Sequence, residues 1–411
     1  MHRNELAMAL RTLAFLDSHA ADPSGLVELR TQPTRRLLVW HPDALDQMFR
    51  ADPQLCHAPS RSLSPLLGPR SLLWTDGARH LAYRRLLAPL LRGPSLPAQR
   101  DVVSRIVHAA LDDWAPGTVI RLPAWTRSIA LRVMGRIVLN RTDDALLAPF
   151  AGWIDRALGW RPRTLAYRYL GRGLPRSGPT LDRALVRAAY EAAQAPVGTL
   201  IGALLAGTEP LGALDDDELR DQIVTLLFAG HETTASATAW ALYWLHRDDE
   251  LRHEVRAELV DTGSDGFDAA RVPLLQAVVQ ETLRLSPPAP VAGNRVLRTD
   301  GELLDMPVLA GTVLTPSIYL AHHQPDRFPD PHRFDPRRFL GHRAPAQHYL
   351  PFGGGSRHCL GSELAMMEIR LIIAAVLRRH VLRYVNPEAG VPTLRGHAMA
   401  PSANLRMVVV E

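Results

Sequence analysis

The stretch that most constrains this chain is Phe352-Gly353-Gly354-Gly355-Ser356-Arg357-His358-Cys359-Leu360-Gly361, a glycine-rich loop that closes on a cysteine. From Ser362 onward the residues turn helical, which sets Cys359 at the mouth of a helix N-terminus. The helix dipole and the free N–H groups at such a mouth favour an anion, and both lower a thiol's pKa. Consecutive glycines let the backbone approach a bulky flat ligand and turn its amides toward the sulfur. The only other cysteine is Cys56. A disulfide framework is therefore excluded, and a reducing compartment is expected.

A second constraint is the apolar run Ile223 to Leu245, long enough to span a bilayer. His231 and Glu232 lie near its middle, where a lipid-exposed helix would not tolerate them cheaply. The better reading is a buried helix crossing a large soluble protein. Asp215 with Glu218 forms a capping-box pattern, and the acidic Asp215-Asp216-Asp217-Glu218 suits the positive helix end. Helical to His246, the element would run roughly 45–50 Å at ~1.5 Å per residue.

Other elements follow from period and punctuation. A strand-like Arg36 to Trp40 precedes a helix over 42–49, and a Ser/Pro/Leu/Gly-rich loop occupies 58–73. Helices are predicted over 77–91, 99–114, 122–139, 249–261, 272–285 and 361–380. Short β pieces fill 287–315, a Pro-, Arg- and His-rich loop fills 322–345, and a final strand covers 405–410. No linker, repeat or targeting segment stands out, so residues 1–411 read as one mainly α domain in the cytoplasm. The 46% hydrophobic content suffices for a core, and a net charge of +5 is too modest to argue for nucleic acid. All 47 basic residues are arginine. Eight of them (Arg156, Arg161, Arg163, Arg168, Arg172, Arg176, Arg183 and Arg187) face a single acid, Asp182. That stretch is either a solvated surface or a landing site for something acidic.

Three constellations carry chemistry. In Ala229-Gly230-His231-Glu232-Thr233-Thr234 a mid-helix Thr233 can bond back to the Ala229 carbonyl and bend the helix. Small Ala229 and Gly230 would leave room beside the bend, although a helix-packing glycine and an arginine-held acid explain the same string. Glu281-Thr282-Leu283-Arg284 places an acid and a base on one helix face. Arg79-His80-Leu81-Ala82-Tyr83-Arg84 offers two basic groups one turn apart.

Taken with F-x-x-G-x-R-x-C-x-G, these strings resemble the cytochrome P450 family, in the family's order from about residue 74 onward. The resemblance implies a single-domain fold with a large helical region, a smaller β-rich region, and haem between the long central helix and the cysteine-loop helix. It implies haem b with Cys359 as axial thiolate, whose electron donation favours O–O cleavage. Phe352, Gly353 and Gly361 belong to the same signature, and Ala229 and Gly230 flank the O2 site. Thr233 takes the dioxygen-side hydroxyl and Glu232 proton delivery. Propionate partners are His80, Arg84, Arg295 and Arg357, with Trp74 packed nearby. Arg338, in Pro336-Arg337-Arg338-Phe339, completes a structural triad with Glu281 and Arg284.

The activity so implied is insertion of one oxygen atom of O2 into a hydrophobic organic substrate, by hydroxylation or epoxidation in natural-product tailoring. Electrons would come from NAD(P)H through a ferredoxin or flavodoxin and its reductase, docking near Arg85, Arg92, Arg338, Arg343 and Arg370. Pocket walls are expected from 58–73, 156–187, Leu226 to Gly230, Pro290, Val291, Ala292, and Met399 to Pro401. The substrate is free or carrier-bound, and a monomer with no membrane or nucleic-acid partner is expected. A peroxide-driven peroxygenase, a haem isomerase and a non-enzymatic haem protein are the competing readings.

Overall fold

The computed structural model describes residues 3–51, 63–159, 174–194, 198–207, 211–341 and 344–410, with the backbone alone at 56–57. Its organising element is the helix Asp216–Leu245, about 45 Å long at 1.5 Å per residue. Asp215 caps it by accepting the Glu218 N–H at 2.9 Å. The reciprocal half of the expected capping box does not form. Glu218 instead takes Arg79 (Nη2 at 2.5 Å) and the Tyr83 hydroxyl, anchoring helix Gly77–Leu87 to the long helix. A carboxylate with a guanidinium in reach makes a charge-assisted bond stronger than one to its own cap N–H.

Helix Leu122–Leu139 packs along the long helix, and Ser362–Arg379 packs against both the long helix and Leu96–Leu111. Together they build the larger apolar core. Leu122–Leu139 stops at Asn140, whose left-handed backbone (φ 56°) suits a short polar side chain. The helix expected over 77–91 ends at Leu87 and continues as a 3₁₀ turn, Ala88–Leu91. Pro89 has no N–H for the ladder and its ring clashes with the preceding turn. Within 156–187 lie the end of helix Asp144–Leu158 and the start of Pro179–Ala193.

The smaller region is β-rich. Strands Leu26–Arg30, Arg36–Val39, Val313–Pro316, Arg295–Leu297 and Cys56–His57 form one sheet in that order, with Arg36–Val39 parallel to Val313–Pro316. Leu37, Leu38, Val39, Trp40 and Leu314 face a second core with helix Pro42–Ala51. The hairpin Pro392–Arg395/Ala398–Pro401 reaches from this side to the long helix. Among the described residues, no helix is long and apolar enough to cross a membrane.

Candidate active site

A cavity of ≈ 740 Å³ lies between the long helix and the cysteine-loop helix. Ala229, Gly230, Thr233 and Thr234 line it from one side, and Cys359, Leu360, Gly361, Leu364 and Ala365 from the other. Cys359 is a free thiol open to this interior space. Its N–H donates to the Phe352 carbonyl at 2.9 Å, and the helix starts at Ser362 as its sequence indicates. The expected low thiol pKa is not what the chain alone provides. Burial pushes the thiol up, opposed only in part by the Gly361 N–H and the Arg84 charge.

One glycine of the loop does further work. A Cβ on Gly354 would lie 2.5 Å from the Phe49 ring, so this glycine admits helix Pro42–Ala51 to the loop's back. Phe352 and Gly353 support the loop but are not on the cavity wall, whereas Arg357 and Gly361 are.

The remaining basic candidates converge. His80, Arg84, Arg295 and Arg357 all line the cavity, together with Trp74. Arg295 is buried and braced by the carbonyls of Gly293 (2.6 Å) and Gly354 (3.1 Å). Arg357 pairs with Asp76. Arg84 has no hydrogen-bond partner among the described residues, and burial lowers its pKa.

On the long helix, the Thr233 hydroxyl donates to the Ala229 carbonyl at 2.9 Å, the back-bond its position predicts. The helix nonetheless runs unbroken through this turn. Gly230 lines the cavity and is also a packing glycine: a Cβ there would lie 2.4 Å from the Met134 sulfur. Glu232 points away from the cavity. Its carboxylate meets Arg395 (Nε to Oε2, 3.1 Å) and His231 (Nε2 to Oε1, 3.2 Å). Burial acts to raise the Glu232 pKa, but the His231 and Arg395 contacts prevail and hold it at about 2.

Glu281, Arg284 and Arg338 come together. Arg284 donates to both Glu281 oxygens (2.7 and 2.9 Å) and Arg338 to one (3.1 Å). Arg284 also bonds the carbonyls of His322, Pro331 and Arg333.

Other expectations need correction. Leu226, Pro290, Val291 and Ala292 line the cavity, but Met399 does not; it is core, its carbonyl accepting from Ser236 and Trp240. Leu394, Gly396 and His397 of the same hairpin line it instead. Arg370 cannot join a docking surface: it is buried on Gly266, Phe267 and Gln276. Arg338 is largely consumed by Glu281, which leaves Arg85 and Arg92 exposed; Arg343 lies outside the described residues. So do Arg161, Arg163, Arg168, Arg172 and residues 58–62, while Leu63, Leu72 and Leu73 line the cavity.

Two residues escaped the sequence reading. Glu368 is fully buried on the cavity wall with neither carboxylate oxygen hydrogen-bonded, and burial pushes it to about 8. Its signal was an acid on the apolar face of Leu364, Met367 and Leu371. Arg395 gave none.

A family model described as Cytochrome P450 matches residues 186–406. Cyclooctat-9-en-7-ol 5-monooxygenase of Streptomyces melanosporofaciens is 34% identical over 403 residues, spanning 92% of this chain and 87% of its own. The solved structure titled retinoic acid bound cyanobacterial CYP120A1 superposes with a TM-score of 0.86 at 26% identity, over 98% of this chain and 96% of that one.

Proposed function

The chain belongs to the cytochrome P450 family, and from that premise we propose that it inserts one oxygen atom of O2 into a hydrophobic substrate of terpenoid size. A cytochrome P450 monooxygenase is an oxidoreductase that works through haem held by a cysteine thiolate. The observation that carries the reading is one cavity presenting Cys359 and four basic side chains opposite Thr233.

The residues fit haem. Cys359 would hold the iron, and His80, Arg84, Arg295 and Arg357 would hold the two propionates. Arg84, half-buried with no hydrogen-bonded partner among the described residues, is the kind of cation a carboxylate completes. Haem, when bound, supplies O2 activation. The chain's own residues orient the substrate, exclude water and move protons. Thr233 presents a hydroxyl at the cavity, and Glu232, one residue before it, exchanges protons with solvent on the far side of the helix. Glu281, Arg284 and Arg338 position the loop beneath Cys359 and touch no reactant.

The apolar wall of Leu63, Leu72, Leu226, Pro290, Val291 and Leu394 selects a hydrophobic skeleton, and hydroxylation or epoxidation is the step such a wall serves. Electrons reach the protein from NAD(P)H through a ferredoxin or flavodoxin, docked near exposed Arg85 and Arg92. Two measurements test the reading. Cys359→Ser should abolish the thiolate-type spectrum of the reduced, carbon-monoxide-bound protein; its retention would sink the assignment. A spectral-shift titration of the ferric protein should respond to cyclooctat-9-en-7-ol or retinoic acid, and a response only to small polar compounds would overturn the substrate class.

A further inference from the structure

The cavity does not end at its four basic side chains. Its wall also includes Asn294, Thr315 and Arg36, which belong to the smaller, β-rich region. Three strands lie side by side there, Arg295–Leu297, Val313–Pro316 and Arg36–Val39. At ~4.8 Å per strand, the Arg36 strand stands about 10 Å from that of Arg295.

A ladder of side chains crosses this sheet. Arg36 Nε donates to Thr315 Oγ1 at 3.2 Å, and the Thr315 hydroxyl donates to Asn294 Oδ1 at 2.9 Å. The direction of the ladder is set by its first member. A guanidinium N–H only donates, so Thr315 accepts from Arg36 and has its own proton to give. Asn294 must therefore turn its carbonyl oxygen to Thr315, which leaves its Nδ2 over. That amide nitrogen has no hydrogen-bonded partner among the described residues. Glu5 steadies the far end of the ladder, 3.9 Å from Arg36 Nη1.

Thr315 is the buried member, and Arg36 alone would satisfy it. Half-buried Asn294 adds a donor that the fold does not use. Each hydrogen bond in such a chain polarises the next, so the charge of Arg36 is felt as a stronger donor at Asn294 Nδ2. A donor strengthened by a cation suits an anion best, because charge-assisted bonds are the strong ones. Pro290, Val291 and Ala292, just before Asn294 in the chain, give the same cavity an apolar wall.

We propose that Asn294 anchors a carboxylate of the substrate, so that a terpenoid acid is preferred to its neutral counterpart. This rests on the reading of a hydrophobic substrate and narrows it. Asn294 makes the contact; Thr315 and Arg36 are positioning residues, one orienting the amide and the other charging it. The hydrocarbon of the acid lies along the apolar wall while its carboxylate is held at the sheet.

The test compares two ligands that differ only at the anchored end. Haem-loaded ferric wild type and variants are titrated at pH 7.5 with farnesoic acid and with its methyl ester. Dissociation constants are read from the haem difference spectrum and, independently, from quenching of tryptophan fluorescence, since Trp74 lines the cavity. Wild type should bind the acid about tenfold more tightly than the ester. Asn294→Leu should weaken the acid about tenfold and leave the ester within about twofold. Thr315→Val, of the same shape without the hydroxyl, should weaken the acid by less, about threefold. Asn294→Asp keeps the shape and the oxygen facing Thr315, and should reverse the order to ester over acid whatever the fate of Asn294→Leu. Equal affinities of wild type for acid and ester would overturn the anchor and leave the hydrophobic-substrate reading standing. So would a loss falling equally on both ligands in Asn294→Leu and Asn294→Asp, the sign of an amide that serves the haem or the wall. If neither ligand binds and small polar carboxylates do, the anchor and the substrate reading fall together.

Discussion

Glu232 and Glu368 stand on the two helices that enclose the cavity, and burial bears on both in the same direction while their neighbours do not. Each is an acid inside an apolar stretch, 5% and 0% exposed. Glu232 has Arg395 and His231 within reach and is held at about 2. Glu368 has no hydrogen-bonded partner among the described residues and is pushed to about 8. Near neutral pH one is an ion locked in a pair, and the other is a neutral acid open to the cavity. Depth alone predicts neither state; the reach of an imidazole and a guanidinium decides it.

The contrast breaks most severely at Arg395→Leu. Removing the partner of a buried carboxylate leaves an uncompensated charge, expected to cost about 3 kcal/mol in urea unfolding at pH 7. The sign with pH is fixed by the pair. The Glu232 pKa falls from 4.5 to about 2 on folding, so its contribution is complete above 4.5 and is lost as pH drops from there toward 2. The gap between wild type and Arg395→Leu should therefore narrow below pH 4.5. An unchanged gap would mean that Arg395 acts by packing alone.

Glu368→Gln sharpens the opposite side. The folded protein keeps a proton on Glu368 that the unfolded chain releases above 4.5, so wild-type stability falls as pH rises between 4.5 and about 8. The amide removes that fall, and the variant should be the more stable by about 4 kcal/mol at pH 8 and near parity at pH 4.5. Urea midpoints at the two pH values measure it; equal differences at both would refute an orphan acid.

Thr233→Ala should have the smallest effect on stability, within about 0.5 kcal/mol, because alanine is the better helix former and the lost bond is a local back-bond. Haem content should stay normal while product formed per NADPH drops and peroxide rises. An unaltered product yield would assign the cavity's proton handling to another group, with Glu368 next in line.

Much of the molecule was legible along the chain. Leu122–Leu139 coincides with its predicted span, and the long helix begins after Asp215 as its cap requires. The back-bond of Thr233 follows from a spacing of four residues. Failures cluster where a distant group competes. Glu218 abandons its own helix end for Arg79, 139 residues away in sequence. Arg370, read as surface charge, is drawn inward by carbonyls of Gly266 and Phe267. Gly354 and Gly230, read as room for a ligand, also make room for Phe49 and Met134.

By itself the sequence determined what depends on neighbours along the chain: helix periods, caps, the cysteine at a helix mouth, and the family those strings spell. These rest on interactions within a turn or two, whose energies are set by residue type and spacing. Only the tertiary structure decided which buried acid is charged, because the fold turns the His231 ring onto Glu232 and brings Arg395 to it across 163 residues, on a hairpin whose other face lines the cavity. Electrostatic energy inside a protein is governed by distance and desolvation in space, and no spacing along the chain encodes either.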